Sequence, residues 1–400
     1  MDCLCGCLFS PMRWEADNKE KYLYSKYLYF AGFLITSVLT WVLRDHASLW
    51  FARHAGAVQF CSEGQGQVDE DRAASCAGGQ IAMRISFANF VFFALHAVVL
   101  FWAPKTDGDP RVHLHTGFWS AKLLLWVGAL VGFFFVPTSA IYGYAQFARI
   151  ASGFYLVLQI AILINFIYVV NELLIEKDNK PAWAVLISGT IITFGLGLVL
   201  IGFSYHLYAP DPSCHRNLFF STWSLVVGIA LVAILFIPKR APTAGLLTSG
   251  ILFLYASYLL ISSLNSDPGS EECIRGEGTS PQWIQIVGFF ISLAAVMYSV
   301  QSAGTSGGDI FVHGGKSSEN LETDLPYRAD FFHVVFALAS MYIAMLFSFW
   351  EVSPSTSEFE IDRGTISAWV KIASKWVCEA LYIWTVVAPS IFRNRDFDYS

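Results

Sequence analysis

Ten apolar stretches follow one another between Tyr27 and Phe392, and each is long enough to cross a lipid bilayer as a helix. A hydrocarbon core about 30 Å thick requires about 20 helical residues. The pattern therefore predicts an all-α polytopic membrane protein with ten transmembrane helices. The predicted spans are residues 27–43, 84–103, 119–136, 140–176, 182–205, 217–237, 244–264, 283–303, 330–351 and 367–392.

The composition agrees with a membrane protein and excludes one class of partner. Hydrophobic residues make up 55% of the 400 residues and charged residues only 14%, whereas about 25% of the residues of a soluble globular domain are charged. The formal net charge is −6, so the chain lacks the basic surface that nucleic-acid binding requires. We therefore exclude nucleic acid as a partner.

Ten crossings return both termini to the same side of the membrane. With a cytosolic N-terminus, most of the 25 Lys and Arg residues fall on the inner side, as the positive-inside rule requires. The chain then has a cytosolic N-terminal segment (1–26), a transmembrane domain (27–392) and a cytosolic tail (393–400). We expect a small outer cap at 44–83 and a mobile inner loop at 304–328, which is rich in Gly and acidic residues. No cleavable signal peptide is evident, so the first span is expected to act as a signal anchor.

Four cysteines fall in the outer loops of this topology, where the oxidising environment preserves disulfides. They are Cys61, Cys76, Cys214 and Cys273. Of the three pairings open to them, we favour Cys61 with Cys76 and Cys214 with Cys273; the alternative is that these loop cysteines stay unpaired. A second group is predicted to be cytosolic and acylated beside the membrane rather than bound to a metal: Cys3, Cys5 and Cys7.

The fourth stretch is longer than the others, because no proline interrupts the chain from Ala140 to Lys177. A single helix of about 37 residues would be about 55 Å long. Since this exceeds the thickness of a bilayer, the helix must tilt strongly or project. The alternative is a short outer segment that ends near Gln146 and is followed by an ordinary span.

Charged residues inside predicted spans are candidates for function, because an unpaired charge in hydrocarbon is costly. Lys371, Lys375 and Glu379 are spaced four residues apart and therefore share one face of the last helix. Lys could contact a lipid phosphate there, and Glu an ammonium head group. The alternative is that Glu379 closes a salt bridge with Lys375 and only locks the bundle. Arg149, on the long helix, is a second buried-charge candidate and a candidate partner of Glu379.

Enzyme signatures are incomplete in this chain. Gly315-Lys316-Ser317 resembles the end of a P-loop, but Ile310 stands where the earlier glycine is required. His113-x-His115 is a weak metal motif, and the motifs of zinc proteases and serine hydrolases are missing. We therefore expect no enzymatic activity, metal or cofactor. Five residues near the cytosolic boundary, where charges are cheap, are interpreted as ordinary anchoring residues: Lys122, Glu172, Glu176, Asp330 and His333.

Several longer motifs extend over essentially the whole chain. They are Phe133-Phe-Phe-Val-Pro137, Asn171-Glu172, Ser249-Gly-Ile-Leu-Phe-Leu-Tyr-Ala-Ser-Tyr258, Asp330-Phe-Phe-His333 and Trp369-Val-Lys-Ile-Ala-Ser-Lys-Trp-Val-Cys-Glu379. In these motifs the chain resembles the serine incorporator (SERINC/TMS) family. The resemblance implies ten transmembrane helices in two subdomains that a long diagonal helix (about 140–176) separates. The predicted spans suit endomembranes or the plasma membrane, and the resemblance favours the secretory route.

The resemblance and the buried charges together suggest a function. We expect a non-enzymatic lipid-handling protein that binds phosphatidylserine and other phospholipids and scrambles them between leaflets without ATP. Its lipid path would be lined by Lys371, Lys375, Glu379 and Arg149. The alternative is a serine carrier or scaffold that promotes the incorporation of serine into phosphatidylserine and sphingolipids. Membrane phospholipids are the expected partners, and sphingolipid, sterol, serine, lipid-synthesis enzymes and a second copy of the chain are further candidates.

Overall fold

The structure of the chain, a computed structural model, describes residues 18–48, 50, 70–101, 110–267, 273, 293–300, 302, 327–348 and 365–392. These residues are almost entirely helical, and none of them lies in a β-strand. The main helices are α1 (Asn18–His46), α2 (Glu70–Leu100), α3 (Pro110–Thr116), α4 (Trp119–Gly132), α5 (Thr138–Glu176), α6 (Lys180–Tyr208), α7 (His215–Ala233), α8 (Leu246–Ser266), α9 (Ala329–Ser348) and α10 (Thr365–Ile391).

Within the described ranges, seven helices are long and apolar enough to cross a bilayer. They are Glu20–His46, Ala77–Leu100, Thr138–Glu176, Lys180–Tyr208, His215–Phe236, Leu246–Ser266 and Ala329–Ser348. Trp119–Phe135 is a shorter apolar helix, and α10 carries three charged side chains. The chain is therefore an all-α polytopic membrane protein. The count of ten crossings stays a prediction, since most of the span predicted at 283–303 lies outside the described residues.

Large apolar side chains remain exposed along several helices, as expected for surfaces that face lipid. On α6 they include Trp183, Ile187, Ile191 and Val199. A water-soluble monomer rarely exposes contiguous apolar surface on this scale. The exposed face of α6 therefore supports its assignment as a membrane span.

One predicted boundary differs from the structure. Helix α2 begins at Glu70 and its apolar part at Ala77, so the second candidate span starts earlier than the predicted residue 84. As a result, Arg84 lies inside the span instead of at its edge. The outer loop at 44–83 stays a prediction. The long helix, by contrast, is confirmed as a single helix of 39 residues, about 58 Å long. The alternative with a break near Gln146 is wrong.

The chain divides into two compact units. Unit 1 consists of Met1–Tyr155 and Ile291–Ile361, and unit 2 consists of Leu156–Phe290 and Asp362–Ser400. The division falls inside α5, so each half of this helix belongs to a different unit.

The core of unit 1 is built from aromatic side chains of α1, α2, α4 and α9. Phe92 stacks on Trp126 at 4.6 Å between ring centroids, and Phe336 lies 4.8 Å from Phe93. Gly32 allows the Trp126 indole to lie against α1, because a Cβ at this position would overlap the ring. Aromatic pairs of this kind add to the free energy gained by burial alone.

The core of unit 2 joins the second half of α5 with α6, α7, α8 and α10. Phe253 of α8 lies at its centre, with Leu231 of α7 and Tyr382 of α10 in the same buried cluster. The Phe253 ring packs between two glycines, Gly197 of α6 and Gly228 of α7. These glycines let three helices approach one another closely.

Helices α4 and α7 end in the same way. Each continues into a 3₁₀ turn (Phe133–Phe135 and Ile234–Phe236) that is followed by an extended residue and a proline. Such an end leaves backbone carbonyls short of hydrogen-bond donors. At each of the two ends, an arginine guanidinium donates to carbonyl oxygens of this segment. Arg84 donates to the carbonyl oxygens of Phe133 (3.0 Å) and Val136 (2.5 Å), and Arg240 Nε donates to that of Leu235 (2.7 Å).

Candidate functional site

The predicted charged face lies on α10, and two of its members are closed onto each other. Lys375 Nζ lies 2.5 Å from Glu379 Oε1. Lys375 is 1% exposed and Glu379 4% exposed, so neither side chain borders a crevice open to lipid. The structure thus has the salt bridge that is the alternative for these residues, and the lipid path beside the pair stays a prediction.

Polar contacts continue along the same face of α10 on both sides of the ion pair. On one side, Lys371 Nζ donates to Ser266 Oγ of α8 at 2.5 Å. On the other side, the Tyr382 hydroxyl is bonded to Thr248 (2.7 Å) and Ser249 (3.0 Å) of α8. We call Lys371, Lys375, Glu379 and Tyr382 the polar row. Its members span twelve residues of helix, about 16 Å along the axis.

Side chains of unit 2 close the polar row from two directions. Helix α8 packs against α10, and the Ser263 hydroxyl donates to the Ala368 carbonyl at 2.8 Å. The Trp223 side chain of α7 lies beside the Glu379 carboxylate. The row is therefore continuous; protein covers Lys375, Glu379 and Tyr382, whereas Lys371 is half-buried.

Arg149, the other candidate for the lipid path, lies on α5 in unit 1, whereas Glu379 lies in unit 2. Its side chain is half-buried, and its Nε is enclosed without a hydrogen-bond acceptor. Among the residues that the structure describes, Arg149 forms no salt bridge. Since an unpaired guanidinium is costly in hydrocarbon, it stays a candidate for contact with a lipid phosphate.

A second polar cluster lies in unit 1, and the sequence did not reveal it. Three of the five residues interpreted as ordinary anchors are buried: Lys122, Asp330 and His333. For these three the interpretation is wrong, because distance from the end of an apolar run does not show which side of a helix meets protein. Glu172 is half-buried and Glu176 is exposed. Asp330 pairs with Arg328 at 2.5 Å, and this hydrogen bond raises the pKa of Arg328 above its ordinary value.

His115 lies at the centre of this second cluster. Its Nδ1 is 3.0 Å from His333 Nε2, and its Nε2 is 2.9 Å from the Tyr327 hydroxyl. Its backbone carbonyl accepts from Lys122 Nζ at 2.8 Å and from the Tyr29 hydroxyl at 3.2 Å. Burial lowers the pKa of His115 well below its ordinary value, and Lys122 and His96 act in the same direction. We call His115, His333, Tyr327 and Tyr22 the histidine chain, since Tyr327 in turn donates to the Tyr22 carbonyl at 3.0 Å.

The signal for this cluster in the sequence was weak. His113-x-His115 was noted only as a metal motif, and within the described residues no group of three His, Cys, Asp or Glu side chains is placed to hold a metal ion. What the motif contains is one exposed residue, His113, and one buried residue, His115. The sequence shows two histidines at alternate positions of α3. It does not show that His115 contacts residues of α1 and α9.

The predicted cysteine pairs can be followed in part. Cys214 and Cys273 form a disulfide, the second pair of the favoured connectivity. Cys61 and the side chain of Cys76 lie outside the described residues, as do Cys3, Cys5 and Cys7. The expected mobile loop at 304–328 and the tail at 393–400 also fall almost wholly outside them.

These helices and buried polar clusters define an integral membrane protein of the polytopic α-helical class. The family model for serine incorporator (Serinc) matches residues 2–309 and 307–395 of the chain. The chain therefore belongs to the serine incorporator family.

Individual relatives agree with this assignment. A probable serine incorporator of Nematostella vectensis is 29% identical over 378 residues, which cover 81% of each chain. Serine incorporator 3 of Bos taurus is 27% identical and covers 99% of this chain and 97% of its own length. A probable serine incorporator of Dictyostelium discoideum is 28% identical, with 94% of this chain and 95% of the relative covered.

Proposed function

We propose that this protein is a non-enzymatic lipid-handling protein that binds phospholipids and lets them exchange between leaflets without ATP. The observation that carries the proposal is the polar row on α10. It offers charged and hydroxyl groups over about 16 Å, roughly half of a hydrocarbon core about 30 Å thick. Ionisable side chains inside membrane spans are costly, and they often mark a pathway for a polar or charged group.

The physical role of such a row is to lower the barrier for a head group in hydrocarbon. A polar group without partners there costs several kcal/mol. If α10 separates from α8, the hydroxyls, ammonium groups and carboxylate of the row become available to a phosphate or an ammonium head group and to accompanying water. The closed salt bridge is then the resting state, and its opening is the step that admits lipid.

The first test removes the charges of the row. Lys375→Leu together with Glu379→Leu should slow the exchange of fluorescently labelled phospholipid in proteoliposomes by at least about tenfold, equivalent to about 1.4 kcal/mol of barrier. Val377→Leu, at a partly exposed apolar position of the same helix, serves as the matched control and should exchange lipid at the wild-type rate. Unchanged exchange in the double variant, with a monodisperse protein, would remove the polar row from the mechanism.

The second test asks whether the row must open. The Ser263 hydroxyl of α8 donates to the Ala368 carbonyl of α10, so these two positions are chosen for a cysteine cross-link between the helices. Oxidation of a Ser263→Cys, Ala368→Cys variant should stop exchange, and reduction should restore it. Wild-type protein treated with the same reductant controls for effects on native disulfides. Full activity in the cross-linked protein would show that lipid does not pass between these helices.

The names of the relatives favour a second candidate, a carrier or scaffold for serine. A carrier would take up radiolabelled serine into proteoliposomes with saturation, and serine would raise the unfolding temperature of the purified protein. Lipid exchange without either effect would favour the first proposal. Serine uptake without lipid exchange would overturn it.

A further inference from the structure

The hydrogen bonds of the histidine chain determine which group donates and which accepts at each link. Tyr327 donates its only hydroxyl proton to the Tyr22 carbonyl, so the hydroxyl must accept from His115 Nε2, which therefore carries a proton. Burial raises the pKa of Tyr327 well above its ordinary value, which keeps this hydroxyl protonated.

The next link follows from the first. A neutral imidazole with a proton on Nε2 has a lone pair on Nδ1. His115 Nδ1 is thus an acceptor, and its neighbour at 3.0 Å, His333 Nε2, must be the donor. The chain therefore runs from His333 through His115 and Tyr327 to Tyr22.

One atom at the start of this chain has no partner. With its proton on Nε2, His333 has a bare lone pair on Nδ1. That nitrogen is fully buried, and no described residue hydrogen-bonds to it. Buried polar atoms without a partner are rare and call for an explanation.

We infer that His333 and His115 form a proton-binding site of unit 1, in which His333 Nδ1 receives the proton and His115 carries the resulting charge. The proton adds to His333 Nδ1, the Nε2–H bond of His333 breaks, and that proton joins His115 Nδ1. His333 is then neutral again with its proton on Nδ1. The bond between the two rings is kept, with His115 now the donor.

The surroundings determine what such a charge does. The titratable groups that face the pair from each packed helix are Tyr22 and Tyr29 from α1, His96 from α2, Lys122 from α4 and, before α9, Tyr327. Asp330, a carboxylate at the start of α9, forms an ion pair with Arg328. Among the described residues that face the pair, none is a carboxylate, so an imidazolium on His115 would be a buried cation with no anion in this set.

The direction of the pH effect follows from the pKa of His115. Because this pKa is lowered in the closed cluster, the closed form is stabilised above the ordinary histidine range, near pH 6.5. That stabilisation is lost as the pH falls toward the lowered value. Acid should therefore open the cluster and release α3 from its partners on α1, α4 and α9.

Hydrogen exchange in nanodiscs measures this opening. Amides of residues 110–122 should exchange faster as the pH falls, after correction for the intrinsic rate, with an opening constant that rises about tenfold per pH unit below about 6.5. In the His115→Gln, His333→Gln double variant, two amides can replace the ring-to-ring bond but bind no proton, so the slope should disappear. His113→Gln, at an exposed position of the same helix, should keep it. A slope that persists in the double variant, or is missing in the wild type, would overturn the inference.

A measurement on the wild-type protein guards against a misfolded variant. Imidazole ¹⁵N spectra of histidine-labelled protein should show unprotonated Nδ1 atoms on both residues at pH 7.5. As the pH falls, the pair should gain one proton. A pair that is already charged at pH 7.5, or that gains no proton by about pH 4.5, two units below the ordinary histidine value, would contradict the assignment. Neither result depends on whether the protein moves lipid.

Discussion

Lys375 Nζ contacts Glu379 Oε1 at 2.5 Å across one turn of α10, and unit 2 encloses both side chains almost completely. A charge taken out of water is tolerated only with a partner. Either charge would therefore destabilise the folded protein if its partner were removed. This mutual dependence makes the pair suitable as a closure that can open, because separation exposes two charges at once.

The pair should behave as a unit in a double-mutant cycle. Lys375→Leu or Glu379→Leu alone leaves a buried charge and should destabilise the protein by about 3–5 kcal/mol, whereas the double Leu variant should lie close to the wild type. The measurement is the thermal unfolding midpoint in detergent, with Val377→Leu as the control. Two single effects that are small and simply add would show that the charges are not coupled.

The sequence predicted the helices well because long apolar runs have few other structures in a bilayer. The continuous helix α5 and the i, i+4 relation of Lys375 and Glu379 both follow from local spacing. The start of α2 was missed, since the helix extends through a polar segment before its apolar part begins. Length and apolarity locate a span but do not locate a helix end.

The sites were harder to predict because an almost uniformly apolar helix gives no periodic signal for its buried face. His333 and Lys122 lie close to predicted span ends, yet contacts with Tyr29 and His115 of other helices bury them. The cover over the ion pair could not be predicted for the same reason. Sequence spacing showed that Lys375 could reach Glu379, but only the packing of α7 and α8 shows that both are covered.

Glycines on α6 and α7 provide a matched test of close packing. A Cβ at Gly197 or Gly228 would lie closer than 3.0 Å to the Phe253 ring, whereas at Gly195 it would meet nothing within 4 Å. Gly228→Ala should therefore lower stability by about 1–3 kcal/mol, the typical cost of overpacking, and Gly195→Ala should be near neutral. The unfolding midpoint measures both, and Phe253→Leu should partly rescue Gly228→Ala. Equal effects of the two alanines would contradict this packing.

The Cys214–Cys273 disulfide should stabilise the end of unit 2 at which α7 begins and α8 ends. The bridge closes a segment with a sequence separation of 59, and Arg216 and Asp267 form an ion pair close by. Chain-entropy reasoning for a loop of this size gives about 4 kcal/mol. Cys214→Ser with Cys273→Ser should lower the unfolding midpoint, and reductant should affect the wild type more than this variant. Identical midpoints with and without the bridge would refute its structural role.

Tyr327→Phe tests the end of the histidine chain without changing its size. The substitution removes the hydroxyl that accepts from His115 Nε2 and donates to the Tyr22 carbonyl. The buried N–H of His115 is then left unsatisfied, which should cost about 1–3 kcal/mol in the unfolding midpoint at pH 7.5. Tyr142→Phe, at an exposed position of unit 1, removes a hydroxyl without a buried partner and should have almost no effect. If both substitutions shift the midpoint equally, the Tyr327 hydroxyl does not hold His115, and the tautomer derived from it for His333 fails as well.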